Sequence, residues 1–337
     1  MEKSMFKRSS RESVTKRVRS KKRIVAEWFF GLCSFTYFLF YWENNAIETS
    51  RFEISDPRIP RSLDGLKIVQ ISDLHAKKFG KDNRRLFARI RGERPDLLAI
   101  TGDLIDERGC DLKFAREFAS RCSEIAPTFY VTGNHEGAFV DPIREGLLGA
   151  LEEGGAVLMD DRWVEARRDE TGSLEFLPVE DGAERTPTPD SVLIAGLIDP
   201  QTTYTIWRGL RDQYRLNPVI VEERLAKIPI APEEFTVLLS HRPEHLALYA
   251  KYRVDLVLTG HAHGGQFRLP WLLPNGLFAP NQGYFPRYTN GRCEMDGTVE
   301  IVSRGLGPSV LPTRFYNRPN LVVCVLRSAS GEESRAR

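Results

Sequence analysis

Four apolar runs in this chain each stop at a short cluster of Asp, Asn, Gly and His, and that recurrence constrains the fold more than any other feature. Residues 66–71 run into Ser72-Asp73-Leu74-His75, and residues 97–100 into Thr101-Gly102-Asp103. Residues 128–131 precede Gly133-Asn134-His135-Glu136, and residues 254–258 precede Gly260-His261-Ala262-His263. A further run, 235–239, ends just before a solitary His241. Short apolar, β-branched runs bounded by such residues read as buried strands with loops at their carboxyl ends. A parallel sheet collects its ligand-binding groups at those ends, so separate loops can meet at one point.

The residues that would meet are Asp73, His75, Asp103, Asn134, His241, His261 and His263. The set mixes oxygen and imidazole donors and contains no Cys. It suits Mn²⁺, Fe²⁺ or Zn²⁺ better than Ca²⁺ or a thiolate-bound zinc. Seven donors are too many for one ion, and two ions sharing one carboxylate fit better.

In this order, D-x-H, G-D, G-N-H-E, a lone His and G-H-x-H resemble the calcineurin-like metallophosphoesterase superfamily. The resemblance covers residues 66–326. It implies an α/β fold, a layered β-sandwich core flanked by helices. It implies two divalent ions, with Mn²⁺ the first expectation and Fe²⁺ or Zn²⁺ the alternatives. Asp103 would match the bridging carboxylate. Asp73, His75 and His263 would complete one metal position, and Asn134, His241 and His261 the other. His135 would match the histidine that faces the substrate and acts in catalysis. Asp106, three residues after Asp103, is the nearest carboxylate that could hold His135.

Each residue taken alone has a plainer reading. Asp103 could cap a helix or fill a loop, Asn134 could sit in a turn, and a lone His is more often structural than a ligand. The weight lies in the combination, because five of the six His fall inside the motifs. The sixth, His245, follows Arg242-Pro243-Glu244 at a helix start and reads as structural.

The rest of the chain divides around this core. Residues 1–23 hold ten Lys or Arg against two Glu, although the whole chain carries a formal charge of only +2. They read as a basic arm for an anionic membrane surface, worth roughly 1 kcal/mol per residue beside anionic lipid, rather than for nucleic acid. Residues 24–42 are almost wholly apolar, with Glu27 the one charge and an aromatic-rich stretch from Trp28 to Trp42. They read as a retained membrane anchor, marginal against the ~20 residues of a full span. A basic arm stays on the cytoplasmic side. A helix lying in the interface leaves the enzyme on that face as well. A helix that fully spans would instead place the enzyme on the far side, and the residues leave that choice open; the expectation taken is a bacterial inner-membrane protein with its catalytic domain on the cytoplasmic face. Residues 43–65 read as a linker and 327–337 as a polar tail. Five Cys with no zinc-ribbon or framework spacing favour a reducing compartment.

Helices are expected at 81–91, 111–123 and 142–153, the last with Asp141 as N-cap. Residues 167–190 read as an exposed hairpin or loop. Residues 199–234, with Tyr204, Ile206, Trp207, Leu210 and Tyr214, read as an insertion that could serve as a lid. Residues 267–288 are rich in Pro and aromatic residues and could meet a lipid. Arg304 is a candidate phosphate contact near the site, and Arg314 and Arg318 either pair with phosphate or lie on the surface. Within the superfamily the chain resembles the membrane-associated bacterial branch, the chlamydial-type UDP-2,3-diacylglucosamine pyrophosphatases of lipid A synthesis. That resemblance implies an acylated nucleotide-sugar substrate and no obligate protein partner. A phosphodiesterase or phosphatase of other substrate is the alternative. A non-catalytic scaffold would have lost ligands, and a nuclease would need a basic channel in place of residues 267–285.

Overall fold

The computed structural model describes residues 21–106, 108–180, 186–203, 210–269, 271–309 and 313–329, with 21, 22, 24, 203 and 210–215 described by backbone only. The expectations for the basic arm at 1–20, for Tyr204, Ile206 and Trp207 and for the tail at 330–337 lie outside these residues. Two compact units are distinguished, Met1–Tyr41 and Trp42–Arg337.

The first unit carries most of helix α1 (Lys21–Asn45). A helix thus forms where the anchor was expected. Among the described residues, however, no helix is long and apolar enough to cross a membrane.

The second unit is built on two sheets. The chain lays down β1 (Glu48–Asp56), β2 (Lys67–Ile71), β3 (Leu97–Thr101), β4 (Thr128–Val131) and β5 (Ala156–Leu158), then β6 (Arg162–Arg168), β7 (Leu174–Pro178) and β8 (Ser191–Gly196). It continues with β9 (Thr236–Leu239), β10 (Leu256–Thr259), the short pair β11 (Phe278–Ala279) and β12 (Gly283–Tyr284), then β13 (Gly291–Met295), β14 (Thr298–Val302) and β15 (Asn320–Ser328). The first sheet runs β1-β15-β2-β3-β4-β5 and the second β13-β14-β10-β9-β8-β6-β7. β2, β3 and β4 are parallel to one another, as are β8, β9 and β10.

Burial explains the layering. Ile68, Leu97, Ala99, Phe129 and Val131 of the first sheet pack against Ile194, Val237, Leu239, Leu256 and Leu258 of the second. The other faces of the same strands are apolar too. Val69, Leu98 and Ile100 meet Leu86, Phe87 and Ile90 of α2 (Arg84–Glu93), Phe118 of α3 (Leu112–Ser123) and Leu147 and Leu151 of a helix at Ile143–Glu153. Leu193, Leu238 and Val257 meet Val221 and Leu225 of a helix at Leu210–Leu225. Strands buried on both faces must be apolar throughout rather than alternating, which is why 66–71, 97–100 and 128–131 read so clearly. The result is a helix–sheet–sheet–helix sandwich, as expected.

Three expectations change. Residues 43–65 are not merely a linker, because β1 lies within them and pairs in parallel with β15, Glu48 opposite Asn320. Its half-buried pattern is that of a sheet edge. The tail read at 327–337 begins inside β15, since Arg327 and Ser328 still pair with β1. Asp141 does not cap its helix: Pro142 holds the N-cap position with no side-chain cap, and Asp141 pairs with Arg144 at 3.2 Å instead. Asp111 does cap α3, accepting from the Phe114 amide at 3.0 Å. Residues 162–168 and 174–178 form an antiparallel hairpin. The described Cys are all free thiols.

Candidate metal centre

Five strand ends deliver the candidate residues. Asp73 and His75 follow β2, Asp103 follows β3, Asn134 and His135 follow β4, His241 follows β9, and His261 and His263 follow β10. The chain turns abruptly at these points. Asp73, His75, Asp103, His261 and His263 all have positive φ, between 47° and 62°. Left-handed backbone is uncommon outside Gly, although Asp and His tolerate it better than most, and such conformations gather at functional sites.

The turns fit because the crossing points are glycines. A Cβ on Gly102 would lie 2.6 Å from the Gly133 backbone and 2.7 Å from His241 Nδ1. One on Gly260 would collide with Ser72 Oγ and Asp73 Oδ2. Glu136, buried completely, ties two of the loops together. Its carboxylate accepts from the amides of Asp103 (2.9 Å), Leu104 (2.9 Å) and Gly133 (2.8 Å). No motif logic had given Glu136 a role.

The side chains converge in two groups with one member in common. Asp73, His75, Asp103 and His263 bring ligand atoms within 4.8 Å of one another, and so do Asp103, His241 and His261. Asn134 joins the second group, its Oδ1 3.1 Å from His241 Nε2. Within the first group, His75 Nε2 is 3.2 Å from His263 Nε2, and His263 Nε2 is 3.4 Å from Asp73 Oδ1. Asp103 Oδ2 is 3.3 Å from His241 Nε2 and 3.8 Å from His75 Nε2. Asp103 thus stands between the groups, as expected of a shared carboxylate.

This donor set fits two cations. Asp73 and Asp103 are fully buried, and their contacts are imidazoles, the Ser72 hydroxyl and the backbone amides of His261 and His135. Burial, partly offset by the His241 charge, pushes Asp73 up to about 6. Burial would also raise Asp103, but His241 and His135 hold it well below the usual carboxylate range. Burial pushes His75 down to about 4 and holds His261 and His263 well below the usual imidazole value. Neutral imidazoles are what a metal requires. His241 is the exception. Burial opposes its protonation, yet Asp103 and Asp73 overcome burial and push it up to about 10. The carboxylates call for positive charge, and a divalent ion would supply more of it than one imidazolium.

His135 stands at the mouth. Its side chain is about a fifth exposed, its Nε2 is 3.8 Å from Asp103 Oδ2, and its ring meets His75 edge-on at 4.5 Å. Asp106 lies within reach of His135 and His75, but its carboxylate is taken by Arg108 at 2.8 Å. Arg304 is largely buried and paired with Glu48 at 3.1 Å. Arg314 is no surface charge. It is buried and bonded to the Gly307 and Arg304 carbonyls, with Nη2 3.3 Å from His263 Nδ1. Burial pushes its pKa down to about 9. His245 is buried at a helix start, apart from both groups. Sequence reading missed Arg242, Asp199 and Asn281, which back the second group and belong to no motif.

Residues 66–265 match the calcineurin-like phosphoesterase family. The uncharacterised metallophosphoesterase YkuE of Bacillus subtilis is 28% identical over 86% of this chain and 89% of its own. The UDP-2,3-diacylglucosamine pyrophosphatase LpxG of Chlamydia muridarum is 27% identical over 85% of this chain and 90% of its own. A zebrafish transmembrane protein with a metallophosphoesterase domain is 27% identical over 82% of this chain, which spans 56% of that longer protein. The convergence of five strand-end loops on one buried donor set and the match to residues 66–265 agree: the chain belongs to the calcineurin-like phosphoesterases, metal-dependent hydrolases that bind two divalent ions.

Proposed function

We propose that this protein hydrolyses the pyrophosphate of UDP-2,3-diacylglucosamine to UMP and 2,3-diacylglucosamine 1-phosphate, a step of lipid A synthesis, at a membrane surface. The reading rests first on the shared carboxylate, Asp103, between two groups of buried donors. Asp73, His75 and His263 would hold one ion, Asn134, His241 and His261 the other, with Mn²⁺ the preferred metal. Bound there, two divalent ions supply Lewis acidity to a phosphoryl group and acidify water for attack on phosphorus.

The chain's own residues do the rest. His135, exposed at the mouth, donates a proton to the leaving phosphate oxygen, a contribution typically worth about 10²–10⁴-fold. Glu136 holds the Asp103 and Gly133 loops at fixed separation. Arg304 contacts the substrate phosphate after parting from Glu48. The catalytic domain is assigned to residues 66–326, extended by β1, with residues 24–42 as the membrane-associated helix and the catalytic face on the cytoplasmic side.

Two observations support an acylated substrate. The relative from Chlamydia is named for it. In addition, Trp271, Leu272, Tyr284 and Phe285 are between 69% and 88% exposed in the segment that follows His263. Large apolar side chains left bare in this way mark interaction surfaces. Other relatives are named only as metallophosphoesterases, so hydrolysis of a different membrane-borne phosphodiester is the second reading.

A Mn²⁺-dependent assay on detergent-solubilised UDP-2,3-diacylglucosamine, with Asp103→Ala and His135→Ala as controls, separates them. Release of UMP that both variants lose supports the lipid A reading. Turnover of a bis-aryl phosphodiester without UMP release would sink it and leave the dimetal hydrolase.

A further inference from the structure

The ligand loops account for one side of His261. Its other side meets residues from distant parts of the chain. His261 Nε2 lies 2.9 Å from Asn281 Oδ1, and Arg242 Nη1 lies 2.8 Å from that same oxygen. Arg242 is 1% exposed, and its Nε and Nη2 donate to the two oxygens of the buried Asp199 at 2.6 and 3.0 Å. Asn281 occupies the turn between β11 and β12 with φ +59°, a left-handed position that Asn adopts more readily than most residues.

The hydrogen-bond inventory orders this network. A guanidinium only donates, so the Asn281 atom it meets is the carbonyl oxygen, and the amide cannot be flipped. That oxygen carries no proton, so His261 Nε2 must be the donor to it. The 3.4 Å between Arg242 Nη1 and His261 Nε2 is then the spacing of two donors around one acceptor. A neutral imidazole has a single N–H, which leaves the lone pair on His261 Nδ1. An outer partner that takes the proton of one ring nitrogen sets the tautomer and orientation of a metal-binding imidazole.

We propose that Asn281, aligned by Arg242 and Asp199, is the positioning residue that holds His261 as its Nε2–H tautomer, with Nδ1 presented to a divalent ion. The inference rests on the assignment of His261 as a ligand. His241 is held by the same device turned round. Its Nδ1 lies 2.8 Å from the Thr101 carbonyl oxygen, which can only accept, so Nδ1 carries a proton and Nε2 is the nitrogen turned toward Asn134 and Asp103.

The test uses full-length protein in detergent, with Asn281→Ala and Asn281→Asp beside wild type. Mn²⁺ stoichiometry and affinity are read by calorimetry and elemental analysis, and the His261 tautomer by long-range ¹H–¹⁵N correlation on metal-free protein. Wild type is expected to take two ions and show the Nε2–H form. Asn281→Ala should weaken one of the two by about 10–100-fold and leave a mixture of tautomers. Asn281→Asp, which keeps an acceptor, should restore both readouts. An Ala variant with wild-type affinity for both ions and an unchanged tautomer overturns the inference alone. Wild type that takes no ion overturns the metal assignment and this inference together.

Discussion

The two halves of the candidate metal centre hold their histidines in different ways. In the half made of Asn134, His241 and His261, each imidazole has a hydrogen-bond acceptor behind it, the Thr101 carbonyl for one and Asn281 for the other. In the half made of Asp73, His75 and His263, that support is missing. His75 Nδ1 is buried with no hydrogen-bond partner among the described residues, and His263 Nδ1 faces a donor, Arg314 Nη2. These two rings are set by backbone and packing instead. Both residues have φ of 47°, and the rings stack at 5.0 Å. A ring braced through its far nitrogen is pre-oriented and more basic. A ring braced only by its neighbour depends on that neighbour staying in place. The half with outer acceptors is therefore expected to be the tighter site.

The largest effect should come from the residue that serves both halves. Asp103→Asn removes the shared charge, and we expect both ions to be lost and turnover to fall by about 10³–10⁴-fold. Retention of either ion at wild-type affinity would show that the halves are independent. The next effects separate the halves. In a Mn²⁺ titration of wild type one ion should bind first. His241→Asn should abolish that tighter event, and Asp73→Asn should abolish the weaker one. The reverse assignment would break the comparison, because it would mean that outer acceptors do not govern affinity here.

A smaller effect, on stability rather than metal, should follow from Glu136→Gln. The carboxylate accepts several loop amides, and an amide nitrogen in place of one oxygen sets donor against donor. An unsatisfied buried donor costs about 1–3 kcal/mol, read as a lower denaturation midpoint in metal-free protein. An unchanged midpoint would show that Glu136 is not what spaces the two loops.

The inner donors were legible in the sequence and their supports were not, for a physical reason. Strand ends in a sheet buried on both faces leave a plain mark: apolar residues without alternation, then Gly, Asp, Asn or His. The apolar run 128–131 coincides with β4 at both ends, and the candidate ligands lie directly after it. Asn281 leaves no such mark, because a side chain can brace a ring from any loop that reaches it. Arg242 was visible beside His241, but a buried Arg is disfavoured, and its main charge partner, the Asp199 carboxylate, lies 43 positions away. β1 was hidden likewise. Its partner β15 lies some 270 positions downstream, and an edge strand shows half-buried alternation that a linker can imitate. The sheet sandwich, legible from its core strands, needed no knowledge of either edge.

The smallest effect tests whether the first half is also the side that faces the substrate. Arg304 sits there, its backbone carbonyl bonded to Arg314 Nη1 at 2.8 Å and its guanidinium paired with Glu48 at 3.1 Å. If Arg304 meets substrate phosphate, Arg304→Gln removes binding made equally to substrate and transition state. KM should then rise by about 3–10-fold with kcat and Mn²⁺ stoichiometry unchanged. Glu48→Gln is the sharper companion. A substrate-binding arginine released from its carboxylate should bind phosphate no worse, so KM should hold or fall. An arginine that only fastens β1 to the loop before β15 would make both variants lose stability together, with KM unmoved in each. Parallel loss of stability without a KM change would remove Arg304 from the site and leave the braced half, through Asn134, as the face that meets the phosphate.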